Sequence, residues 1–130
     1  MEKIKILIVE DHEVVIKGIR TVLEPYDDLE IIGYALEPED AQKKMETLTP
    51  DVIIMDINLP EMSGIELTKI ITDKYPDTKV VYYTSHVDEQ LITDGFEAGA
   101  FGYVPKDFSP EELVEAIHMV NNCLLYTSPS

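Results

Sequence analysis

The sequence predicts one α/β domain whose parallel sheet is covered by helices on both faces. Three observations carry that expectation. Apolar strand-like runs alternate five times with segments of helical period, the pattern of βαβ units. The first, third and fourth runs are near-continuously apolar, as strands buried on both faces are. A chain of 130 residues is long enough for one domain with a real core.

In chain order, the strands are expected at Ile4–Val9, Glu30–Tyr34, Val52–Met55, Val80–Tyr83 and Phe101–Val104. The helices between and after them are expected at about Glu13–Leu23, Pro38–Leu48, Ile65–Lys74, Glu89–Ala98 and Pro110–Val120. Local signals support these bounds. Ser63-Gly64-Ile65-Glu66 and Ser109-Pro110-Glu111-Glu112 both fit the S-x-x-E capping box. Pro110 suits a first helical position, where its missing N–H costs nothing. Leu113, Val114, Ile117 and Val120 recur at helical spacing and form a face for the sheet. Gly99 fits a C-cap before the last strand.

The composition bounds function. Hydrophobic content of 45% with 28% charged residues fits a soluble globular protein. No apolar run approaches the roughly 18–20 residues of a membrane span. Met1-Glu2-Lys3 leads directly into a strand, so no signal peptide is expected. The single cysteine, Cys123, excludes an internal disulfide framework and suits a reducing cytoplasm. Ten basic against 26 acidic residues give a net charge of −16, which argues against direct nucleic-acid binding by this segment. The charge chiefly serves solubility, and a few of the acids are expected to gather around a cation.

The end of the chain departs from this order. Residues 1–121 form the expected domain, and residues 122–130 a tail with no helical period and no evident partner. Cys123–Ser130 resembles adapter-derived read-through at the ends of some assembled reading frames; a natural linker start is the alternative. Neither reading gives Cys123 a function.

Val52-Ile53-Ile54-Met55-Asp56 delivers a carboxylate to the C-terminal end of a buried strand. In a doubly wound sheet, ligands bind outside those ends. With strand order 2-1-3-4-5, Asp56 lies between Glu10-Asp11 of the first strand and Thr84-Ser85 of the fourth, with Lys106 reaching in from the fifth. The crevice is expected between the first and third strands, where the winding reverses. Three close carboxylates repel one another, and a hard cation such as Mg²⁺ resolves that. Glu10, Asp11, Asp56 and the Asn58 backbone carbonyl are the candidate metal ligands. An oxygen of Asp56 would attack a phosphorus atom in line, and the metal would offset the phosphoryl charge. Lys106 would pair with a phosphoryl oxygen, or with Asp56 at rest. The Thr84 hydroxyl and the Ser85 N–H would take the other oxygens.

Each of these residues also has a structural reading. Asp56 alone is a turn former, Asp11 an N-cap, Thr84 and Ser85 turn or cap residues, Lys106 a solvated charge and Tyr103 strand filler. The joint order along one sheet edge favours the chemical reading. His12 and His86 are expected to line the rim of the site, and His118 to lie on the surface.

Ile6-Leu7-Ile8-Val9-Glu10-Asp11, Met55-Asp56-Ile57-Asn58-Leu59-Pro60 with Met62 and Gly64, Thr84, Ala98-Gly99-Ala100 and Gly102-Tyr103-Val104-Pro105-Lys106 together resemble the receiver domain of bacterial two-component response regulators over about residues 3–121. The resemblance implies a flavodoxin-like (βα)5 fold and a phosphorylatable, non-enzymatic signalling switch. Asp56 would be the phosphoacceptor, charged by a sensor histidine kinase with Mg²⁺ held at Glu10, Asp11 and Asn58. Thr84 and Lys106 would contact the phosphoryl group. Tyr103 would turn inward as Thr84 moves, changing the partners of the face formed by the fourth helix, fifth strand and fifth helix. A homodimer formed on phosphorylation is also implied.

Asp11–Ile19 and Gly102–Asp107 resemble regulators with a LuxR-type helix-turn-helix output domain for transcription regulation, expected beyond residue 121 and absent here. Asp107 follows Lys106 where other receivers have proline, so no cis Lys-Pro bond forms there. Tyr82-Tyr83 stands where aliphatics are usual, and Tyr83 is expected to crowd the pocket of Tyr103. Two alternatives complete the reading. A haloacid-dehalogenase-type phosphatase would carry D-x-D, whereas Asn58 stands at the second position and no cap domain fits the length. A degenerate, unphosphorylated receiver would lack one of the acids, Thr84 or Lys106, and all are present.

Overall fold

In a computed structural model of the chain, residues 3–85, 88–106 and 110–127 are described. His86, Asp107, Ser109 and residues 128–130 lie outside them, and with them the rim position of His86 and the Ser109 cap. The elements run β1 (Ile4–Val9), α1 (Glu13–Leu23), β2 (Leu29–Ala35), α2 (Pro38–Thr47), β3 (Val52–Met55), α3 (Gly64–Lys74), β4 (Lys79–Thr84), α4 (Glu89–Glu97), β5 (Gly102–Pro105), α5 (Glu112–Asn121) and β6 (Tyr126–Thr127).

The sheet is parallel, with order β2-β1-β3-β4-β5-β6. The expected 2-1-3-4-5 winding is present, but the sheet has six strands rather than five. The sixth comes from the tail, which does have a partner. Gly102 pairs with Tyr126 and Tyr103 with Thr127. Tyr126 is buried, and its hydroxyl donates to Glu112 Oε1 at 2.8 Å.

Strand alternation splits the core into two layers. On one face, Ile6, Ile8, Val52, Ile54, Val81, Tyr83 and Val104 pack with residues of α1 and α5. On the other, Leu7, Val9, Ile53, Met55, Val80, Tyr82 and Tyr103 pack with residues of α2 and α3. Tyr83 therefore lies on the face opposite Tyr103 and does not crowd it. Tyr82 is the strand partner of Tyr103 and shares its layer. It is fully buried, and its hydroxyl donates to Thr68 Oγ1 at 2.7 Å; Thr68 in turn donates to the Gly64 carbonyl at 2.7 Å. Burial pushes the Tyr82 phenol up to about 12.

Two glycines permit close approaches. A Cβ on Gly64 would stand 2.4 Å from the Asp56 carbonyl oxygen, so the start of α3 can sit directly on the loop after β3. A Cβ on Gly95 would stand 2.4 Å from the Tyr82 ring, so α4 packs on that ring through a bare backbone.

Helix starts are partly as expected. Ser63 is the N-cap of α3 and its Oγ accepts from the Ile65 N–H at 3.1 Å. The N-cap of α1 is His12, not Asp11, and no side chain caps it. The last helix begins at Glu112 with Glu111 as N-cap. Pro110 lies in the turn before it, where its carbonyl accepts from the Leu113 N–H at 2.9 Å. Gly99 follows α4 with φ 117°, the positive angle expected of a helix-terminating glycine.

Candidate functional site

The site forms because parallel strands release their next residues at a common edge. The Asp56 N–H donates to Val9 O at 3.2 Å, and the Glu10 N–H donates to Ala35 O at 3.0 Å. These bonds continue the ladders one residue past β3 and β1 and hold both acids at the sheet. Glu10 is 2% and Asp56 4% exposed, while Asp11 beside them is exposed.

Two buried carboxylates need compensation, and Lys106 supplies it. Its Nζ lies 2.9 Å from Glu10 Oε1 and 3.0 Å from Asp56 Oδ2. The Lys106 N–H donates to Thr84 O at 2.8 Å, which fixes the lysine backbone against the end of β4. Burial pushes the ammonium down, but the bonds to Glu10 and Asp56 outweigh it, so its pKa is raised. The expected resting pair of Lys106 and Asp56 is thus present, and Glu10 joins it.

Asp56 Oδ1 accepts from the Asn58 N–H at 3.1 Å, a turn that fixes the carboxylate and keeps Asn58 beside it. Thr84 is fully buried at the end of β4, Ser85 next to it is exposed, and Tyr103 is buried in β5. Beside the loop after β3, Glu61 adopts φ 68°, a left-handed conformation uncommon outside glycine.

His12 stands at the exposed rim of the site and reaches its acids from there. Its Nδ1 lies 2.8 Å from Glu10 Oε2 and 3.1 Å from Asp11 Oδ1. The hydrogen bond to Glu10 and the nearby acids raise its pKa. Glu10, Asp11, His12 and Asp56 each offer a ligand atom, and these atoms lie within 4.8 Å of one another. Sequence order held a hint of this, since His12 directly follows the acid pair. His118 is a half-exposed residue whose Nε2 lies 2.6 Å from Asp28 Oδ2 and ties α5 to the turn before β2.

A doubly wound parallel sheet with a buried acid pair and a bridging lysine at its C-terminal edge defines a receiver-type signalling domain. Residues 6–118 match the family described as "Response regulator receiver domain", and the chain belongs to that family. It is 35% identical over 127 residues to the transcriptional regulatory protein DegU of Brevibacillus brevis, covering 98% of this chain and 54% of that protein. It is 38% identical over 126 residues to the response regulator GacA of Pseudomonas syringae, covering 97% of this chain and 59% of that protein. The crystal structure of a LuxR-family two-component response regulator from an Aurantimonas species superposes with a TM-score of 0.93 at 32% identity, covering 98% of this chain and 91% of that one. The chain spans about half the length of the curated relatives it matches. It is a response-regulator receiver domain whose relatives are transcriptional regulators. Among the described residues, no helix is long and apolar enough to cross a membrane.

Proposed function

We propose that Asp56 is the phosphoacceptor of a cytoplasmic two-component switch. The observation that carries this reading is the pairing of one buried Asp56 oxygen with Lys106 at the C-terminal sheet edge. An Asp56 carboxylate oxygen attacks the phosphorus of a kinase phosphohistidine in line. The new O–P bond forms as the P–N bond breaks, and the electron pair returns to the imidazole. Lys106 transfers its hydrogen bond from Asp56 Oδ2 to a phosphoryl oxygen. The Thr84 hydroxyl and the Ser85 N–H take the others. Nothing in this sequence of events calls for substrate turnover, and Asn58, where a phosphatase of similar chemistry carries a second acid, supports a domain that holds the group.

The donor set fits a hard divalent cation: Glu10, Asp11 and Asp56 offer carboxylate oxygens at close mutual range, and the Asn58 carbonyl is a further oxygen donor nearby. These residues would hold Mg²⁺, which when bound supplies positive charge against the phosphoryl oxygens.

Tyr103 and Thr84 act together as the readout, and the surface of α4, β5 and α5 passes the signal on. Residues 1–121 form the receiver, consistent with a family match ending at residue 118, and the segment after them adds Tyr126–Thr127 to its sheet edge as β6. A sensor histidine kinase is the phosphodonor, a DNA-binding output domain is the controlled element, and a homodimer forms on phosphorylation. Incubation with acetyl phosphate and Mg²⁺, read by intact mass, tests the core of this reading. One phosphoryl group should appear on the parent and none on Asp56→Asn; equal uptake by both would overturn the assignment.

A further inference from the structure

A buried polar chain that the proposed chemistry does not use leads to the loop carrying Asp56. Tyr82 and Thr68 are both fully buried. The Tyr82 hydroxyl donates to Thr68 Oγ1 at 2.7 Å, and Thr68 donates to the Gly64 carbonyl at 2.7 Å. The Gly64 N–H donates to the Ile57 carbonyl at 2.7 Å. Gly64 stands so close to the strand exit that a Cβ there would strike the Asp56 carbonyl. Thr68 Oγ1 also lies 3.6 Å from Met55 Sδ. The chain therefore touches the residues on both sides of Asp56. The carboxylate itself is set by the turn that follows, where Oδ1 accepts from the Asn58 N–H at 3.1 Å.

We propose that Tyr82 is a positioning residue for phosphoryl uptake at Asp56, acting through Thr68 and Gly64 on the loop after β3. The inference rests on Asp56 as the phosphoacceptor and deepens that reading. A helical threonine can bond back to the carbonyl four residues before it, and that bond alone leaves the direction of its hydroxyl loosely set. The phenol arriving from β4 fills a lone pair of the hydroxyl and fixes its direction. A donor on one side of a hydroxyl strengthens its donation on the other, the more so away from water. Burial keeps the phenol protonated, so it stays a donor at neutral pH. From the other side α4 packs on the ring through Gly95 and limits its retreat. Core filling alone does not call for this hydroxyl, because phenylalanine would occupy the same space with no polar atom to bury. The hydroxyl adds a fixed distance between β4 and the first turn of α3, and with it a fixed seat for the turn that holds Asp56.

The test is a double-mutant cycle on the whole chain, read as the rate of phosphoryl uptake from acetyl phosphate with Mg²⁺. All variants are compared at a temperature where circular dichroism shows each fully folded. A hydroxyl with a structural role alone would lower stability and leave the rate of the folded protein unchanged. Tyr82→Phe should slow uptake by about three- to tenfold, a modest share of what misplaced reacting groups can cost. Thr68→Val, which keeps the shape and removes the hydroxyl, should slow it by a similar factor. The double variant should be no slower than the slower single one, because the two groups act as one unit. Thr68→Ser, which retains the hydroxyl, should lie closer to the parent than Thr68→Val. A parent rate in either single variant, or losses that multiply in the double variant, would overturn the inference and leave Asp56 as phosphoacceptor. Absence of uptake at Asp56 in the parent would overturn that assignment, and this inference with it.

Discussion

Two aspartates flank the same four-residue strand, Asp51 before Val52–Met55 and Asp56 after it, and they do different work. Asp51 is bound into backbone. Its Oδ2 accepts from the Lys5 N–H at 2.9 Å, its N–H donates to Lys5 O, and its carbonyl accepts from the Lys79 N–H. Asp56 is more deeply buried, and one of its oxygens faces an ammonium that also serves Glu10. The entry edge near Asp51 has an open concavity of about 770 Å³ edged by Lys3, Lys5 and Lys74 as well as Glu30, Asp51 and Asp77. At the entry edge the carboxylate serves as an acceptor atom for a backbone N–H. A carboxylate at the exit edge needs its charge. A strand end is therefore a weak signal until the partner of the acid is known.

The contrast can be broken most severely at Lys106. Lys106→Met leaves Glu10 and Asp56 facing each other without the cation, and we expect a stability loss of about 2–3 kcal/mol by urea unfolding near neutral pH, below the range for fully buried pairs because Lys106 keeps some solvent. The lysine pKa is raised in the folded state. Its contribution should be fully present below the unfolded value of about 10.5 and fade as pH rises through the higher folded value. A Lys106→Met stability equal to the parent at neutral pH would show that the ammonium is not needed there.

A smaller effect sharpens the comparison by leaving both edges intact. Gly95→Ala drives a methyl into the Tyr82 ring and should cost about 1–3 kcal/mol, with no dependence on pH near neutrality. Combining it with Tyr82→Leu should cost at least about 1 kcal/mol less than the two separate losses added. Strict additivity would show that ring and helix do not press on each other. The smallest effect belongs to Asp51→Asn. The amide keeps an acceptor for the Lys5 N–H, so stability should stay within about 0.5 kcal/mol of the parent and phosphoryl uptake should be unchanged.

The winding of the sheet and the edge that carries Glu10, Asp56, Thr84 and Lys106 were legible because apolar runs and their terminal residues are local in sequence. Features set by pairing or side-chain reach were not. β6 is two residues long and too short for any period. Tyr82 and Tyr83 look alike in sequence, and the strand register decides which one shares a layer with Tyr103. The start of α5 moved past Pro110 because the residues after it close a turn first. The bridge from Lys106 to Glu10 spans the edge between β1 and β5, and no motif encodes that distance. His12 was visible beside the acids, but its two contacts with them were not.

Chemical trapping decides between the two ends of β3. The protein is treated with acetyl phosphate and Mg²⁺, reduced with borohydride to convert an aspartyl phosphate to homoserine, and mapped by peptide mass spectrometry. Homoserine at position 56 with Asp51 unmodified is the predicted result. Modification at Asp51, at both, or at neither would contradict the central assignment.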